Sequence, residues 1–95
     1  MPFFAVTREQ GPAWDPERPM REQDGWGDHA AFMDALVDEG FIELGGPLGD
    51  ESRRFLLAID ADSEEQIRER LAQDPWTPAD LLRIAAIERW EILLR

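Results

Sequence analysis

The chain reads as an α+β protein: one sheet of four antiparallel strands with two helices on one of its faces. Three observations predict this. Short runs rich in Phe, Val, Leu and Ile, without helical spacing, fall at 2–7, 41–44, 53–60 and 81–94. Between them, 28–40 and 63–74 carry apolar residues at helical spacing with capping signals at their ends. The resulting order is strand, helix, strand, strand, helix, strand, and the 95 residues suit one domain spanning 1–95. A chain of this size buries roughly 60–65% of its unfolded surface, enough for a thin core.

The first strand, PFFAVT, places Phe4 and Val6 on one side and Phe3 and Ala5 on the other. The segment 8–27 follows as a long loop, since Gly11, Pro12, Pro16, Pro19, Gly25 and Gly27 break any periodicity. Loops of this length inside compact domains are usually functional lids or disordered segments. Trp14 and Trp26 either pin this loop to the core or line a ligand pocket.

From Asp28, read as the N-cap, a helix runs with Phe32, Met33, Leu36 and Val37 on its apolar side and Gly40 as its C′ residue. His29, the single histidine, lies four positions before Met33 and seven before Leu36, so it joins the buried stripe at the first turn. The strand at 41–44 leads into Gly45, Gly46 and Pro47, read as a hairpin turn before the strand RRFLLAID. In the second helix, Ser63 and Gln66 form a capping box, and Ile67 and Leu71 face inward. That helix stops near Asp74, because the residue before Pro75 is pushed out of helical geometry. The last strand lies within 81–94, most securely 84–93.

This order is the ferredoxin-like βαββαβ arrangement. Two helices cover one side of the sheet, yet strands one, three and four are apolar on both parities. A lone domain would leave that second face in water. A second copy packed sheet to sheet, about 10 Å away, would bury it, so a two-fold homodimer is expected.

Composition excludes several classes. Ten basic residues against twenty-one acidic ones give a net charge of −11, with no basic stripe to bind nucleic acid or an anionic membrane. No apolar run approaches the ~20 residues of a membrane span, and 1–10 has no signal-peptide pattern, so a cytoplasmic location is expected. Cysteine is absent, removing disulfides and thiol nucleophiles, and lysine is absent, removing Schiff-base chemistry. No metal site is expected: no helix carries a second ligand at matching spacing beside His29. Asp60 to Ser63 mimics the start of a calcium loop but has Glu65 where glycine belongs and Leu71 where the closing glutamate belongs. Gly45-Gly46-Pro47 lacks the lysine and spacing of a phosphate loop, and no cofactor is expected.

His29 followed by AAFMDALVDEG, the GGPL at 45–48, Asp74-Pro75-Trp76 and the final IERW together resemble the YCII-related family of dimeric α/β-barrel proteins. The resemblance spans 2–94 and implies a ferredoxin-like dimer with a site built from a histidine and an aspartate, here His29 and Asp74. The wider superfamily includes muconolactone isomerases, a dehydrochlorinase-type enzyme, monooxygenases that need no cofactor, and members without assigned activity. One departure matters: where better-known members often have an arginine shortly before the histidine, this chain has Gly27-Asp28, leaving Arg18 or Arg21 as substitutes.

Histidine's ordinary pKa of about 6.5 suits a general acid or base. An Asp74 carboxylate within reach would fix its tautomer and stabilise the imidazolium as it forms. That chemistry is proton transfer on a small organic acid or phenol-like compound, by an isomerase or lyase without cofactor. Gly45, Gly46, Pro47 and Trp76 are candidate pocket residues, the glycines leaving room beside His29. The plain alternative has His29 packing its helix and Asp74 capping a turn, in a non-catalytic dimeric module that binds a small molecule or a protein.

Overall fold

A computed structural model describes residues 2–94. It contains β1 (Phe3–Gln10), α1 (Trp26–Asp38), β2 (Ile42–Leu48), β3 (Arg54–Asp60), α2 (Glu64–Leu71) and β4 (Leu82–Trp90), with a 3-10 turn at Met20–Glu22 in the long loop. The strands form one antiparallel sheet in the order β2-β3-β1-β4. This is the expected ferredoxin-like βαββαβ fold.

Register shows which residues share a face. Phe4 lies opposite Ile59, and Val6 lies between Leu57 and Ile87. These side chains meet Leu36 of α1 and Ile67 and Leu71 of α2 in an aliphatic core, which also takes in Ile42 and Phe41. Continuing the same parity, Arg8 lies between Phe55 and Ile84 and is therefore directed to the helix side of the sheet. On the opposite face, Ala5 pairs with Ala58 and Glu88, and Leu44 pairs with Ala58. That face leaves Leu44 61% exposed, with Leu48 and Trp90 also exposed.

Helix termini follow local chemistry. Gly40, at φ 81°, ends α1 in a Schellman motif: its N–H donates to the Val37 carbonyl and the Phe41 N–H donates to that of Leu36. At α2, the Ser63 hydroxyl accepts from the Gln66 N–H at 3.1 Å. The Gln66 side chain reaches back one residue further than a standard capping box, accepting from the Asp62 N–H at 2.8 Å.

Four boundaries differ from the sequence reading. β1 runs on to Gln10, so Arg8 belongs to the sheet and not to the loop. α1 begins at Trp26, with Gly25 at φ 77° as its N-cap in place of Asp28, and the His29 N–H donates to the Gly25 carbonyl. Gly45, Gly46 and Pro47 lie within β2, paired with Leu57, Leu56 and Phe55. β2 is an edge strand, which tolerates a proline, and the turn falls at 49–53 instead. A Cβ at Gly45 would come within 2.5 Å of Leu57 Cδ2 and 3.1 Å of the Leu56 carbonyl oxygen, so glycine lets the two strands sit this closely. Finally, β4 stops at Trp90, and 91–94 carries no regular structure despite its apolar residues, because no neighbouring strand pairs with it.

Candidate functional site

A second buried cluster lies at one end of the sheet. Trp14 from the long loop, Phe55 from β3, and Trp76, Leu81 and Leu82 around the turn before β4 pack together, with Met20 and Trp26 against them. Trp14 meets Trp76 edge-on with ring centres 5.7 Å apart. The Trp76 indole N–H donates to the Asp24 carbonyl at 2.7 Å, tying the loop down. Gln23, also buried, accepts from the Asp15 N–H and donates to the carbonyls of Asp15 and Arg18. Both tryptophans pack on this cluster and pin the loop, and Trp26, unlike Trp14, also lines the cavity beside His29.

His29 and Asp74, 45 residues apart, meet here. The imidazole Nδ1 lies 2.9 Å from each oxygen of the Asp74 carboxylate. Asp74 is fully buried and His29 nearly so. The turn that follows α2 fixes the carboxylate, because its Oδ1 accepts from the Trp76 N–H at 2.9 Å. Its Oδ2 accepts from Arg8 Nη1 at 2.7 Å, in an ion pair that is almost wholly out of water. Arg8 Nη2 donates to the Thr77 hydroxyl at 3.1 Å, and that hydroxyl donates to the Leu71 carbonyl at 2.7 Å.

Burial by itself would push the Asp74 carboxyl up; the hydrogen bonds from His29, the Trp76 N–H and Arg8, together with the Arg8 charge, outweigh it and hold it below its ordinary 3.8. The group is therefore a carboxylate at neutral pH and can only accept. It follows that Nδ1 carries a proton toward Asp74, and a neutral ring then keeps its lone pair on Nε2. Among the described residues no protein group bonds Nε2. The Trp76 indole stacks on the imidazole, with centres 3.9 Å apart and planes 7° from parallel, which fixes the ring's orientation.

Beside His29 is a cavity of about 280 Å³. Its walls come from α1 (Trp26, Met33, Val37), from the sheet (Arg8, Ile42, Phe55, Leu57, Leu82) and from Met20 of the loop, with Asp34 also on its lining. Gly45, Gly46 and Pro47 line it through strand pairing and not as a turn. Trp76 lies behind the imidazole and is not on the cavity wall. Arg18 is held by Asp15 and Asp24, and Arg21 lies over the Trp26 ring; neither lines the cavity. The arginine that does is Arg8, which sequence reasoning missed. A signal was present: Arg8 continues the parity of Phe4 and Val6. Among the described residues no group of three or more His, Cys, Asp or Glu could hold a metal ion, and no helix is long and apolar enough to cross a membrane.

No family model and no curated protein matches the chain. A solved structure is similar to it over 94% of this chain and 93% of the other, with 26% sequence identity and a TM-score of 0.64. It is 5-chloro-2-hydroxyhydroquinone dehydrochlorinase (TftG) from Burkholderia phenoliruptrix AC1100, in complex with 2,5-dihydroxybenzoquinone.

Proposed function

We propose that this chain is a YCII-like enzyme of the isomerase or lyase type that works without a cofactor on a small organic acid or a phenol-like ring. The observation that carries this reading is the buried His29–Asp74 contact at 2.9 Å beside the cavity. His29 Nε2 takes a proton from an acidic C–H or O–H of the bound compound, and Asp74 stabilises the imidazolium that forms. Returning the proton at another position gives isomerisation. Losing an anionic leaving group from the adjacent carbon gives elimination. At about 280 Å³ the cavity lies near the small end of ligand pockets, which suits a single substituted ring. The similar dehydrochlorinase, solved with a dihydroxyquinone, supports a ring of that kind.

The test begins with a thermal-shift screen of hydroxylated and chlorinated hydroquinones and small keto acids, since a ligand that binds the folded state raises Tm. Hits are then followed by NMR in D2O for proton exchange, rearrangement or loss of a leaving group. His29→Gln is expected to slow turnover by about 10²-fold or more while the protein remains folded. A His29→Gln variant that turns over at the wild-type rate would exclude the histidine as base. Hits that bind but never react would favour a small-molecule-binding module.

A homodimer packed through the open sheet face belongs to the same proposal. Ala5, Leu56, Ala58 and Ala86 together with exposed Leu44 and Leu48 give that face its apolar character. Light scattering at micromolar concentration should return twice the 10.9 kDa chain mass; a monodisperse monomer would refute it.

A further inference from the structure

We propose that Arg8 sets the charge of the ligand: the cavity accepts ionised ring oxygens, phenolate or enolate, in preference to the neutral ring. This rests on the reading of His29 and Asp74 given above. Its starting point is the sum of charges at the cavity floor. Asp74 contributes a buried negative charge directly behind the base, in a chain whose net charge is already −11. Left alone, the pair would repel an anion across a cavity with mostly apolar walls, where like charges interact more strongly than in bulk water. Arg8 cancels that charge at 2.7 Å, and it too is buried, at 1% exposure. The trio is neutral while the imidazole is neutral, and positive once Nε2 has taken a proton. An anion formed by proton removal therefore meets a net attraction, and so does one that arrives ionised and draws a proton from water onto Nε2, whereas a neutral ring gains nothing from either change.

Two further observations point the same way. The Arg8 Nε–H is buried without an acceptor, so the guanidinium is not fully spent on Asp74 and Thr77. The other charged residue on the cavity lining, Asp34, is exposed on α1, where solvent screens it. Arginine also keeps its charge at every working pH, so the balance does not depend on its own titration.

The test compares two rings of similar size by calorimetry at neutral pH. 2,5-Dihydroxybenzoquinone, a vinylogous acid, is ionised there; hydroquinone is not. Wild type should bind the anion at least about tenfold more tightly, and Arg8→Lys should keep most of that preference. Arg8→Gln should lose about tenfold in affinity for the anion and change little toward hydroquinone. The double variant R8Q/D74N removes both charges, leaves no unpaired buried ion, and should regain the anion preference. A purely structural role for Arg8 would also be relieved by deleting its partner, but in Arg8→Gln it would weaken binding of both rings alike and not of the anion alone. Where Arg8→Gln alone does not fold, the double variant against wild type decides the matter. Equal affinity for both rings in wild type, binding of neither, an undiminished preference in Arg8→Gln, or no recovery in the double variant would each overturn the proposal. Binding is read here without turnover. A charge preference that holds while His29→Gln still turns over would overturn the catalytic reading alone, and a lost preference with His29-dependent turnover would overturn this one alone.

Discussion

The aliphatic core between sheet and helices and the aromatic cluster under the long loop are both buried, yet they cohere by different physics. In the first, Phe4, Val6, Leu36, Ile59, Ile67 and Leu71 meet by non-directional apolar burial, and each can be trimmed at a graded cost. The second surrounds a polar node in which Asp74 receives donors from Arg8, His29 and the Trp76 backbone. There, removing one partner leaves a charge out of water with nothing to answer it. The difference teaches that the site is held in an all-or-none manner, while the scaffold around it tolerates variation.

The strongest way to break this comparison is Asp74→Ala. It strands Arg8 in the interior and should cost about 3–5 kcal/mol in urea unfolding. A loss below about 1 kcal/mol, the scale of an exposed pair, would show that the node contributes no more than a surface ion pair. The next effect comes from pH. Because the fold holds the Asp74 carboxyl below 3.8, its contribution is complete above about pH 4 and fades as pH falls through the lower folded value. The gap in urea midpoint between wild type and Asp74→Asn should therefore stay constant from pH 6 to about pH 4 and narrow as pH falls further, the other carboxylates affecting both alike. A gap that stays constant below about pH 4 as well would mean that Asp74 titrates the same way folded and unfolded. The smallest effect sharpens the contrast from the other side: Ile59→Val in the aliphatic core should cost only about 0.5–1.5 kcal/mol, with ligand affinity unchanged in calorimetry. A larger loss that also weakens binding would mean the two clusters act as one.

Much of this architecture was legible in the chain because it is written in local periodicity. The spacing of Phe32, Met33 and Leu36, the Gly40 stop, the Ser63 cap and the break before Pro75 located both helices, and the strand order followed. Where local chemistry pointed to two outcomes, it misled. Gly45-Gly46-Pro47 has turn composition, but pairing with β3 kept it extended. The apolar tail at 91–94 looked like strand, but no neighbour reached it.

The sequence by itself determined the elements, their order and the apolar character of both sheet faces, since each depends on residues a few positions apart. Only the tertiary structure decided that Arg8 lies behind Asp74, 66 residues away, and that Trp76 stacks on His29 instead of facing the cavity. Parity puts Arg8 on the helix side of the sheet, but which partner it meets there is set by how distant segments pack and by the path of a loop across the molecule, and these leave no periodic trace in the chain.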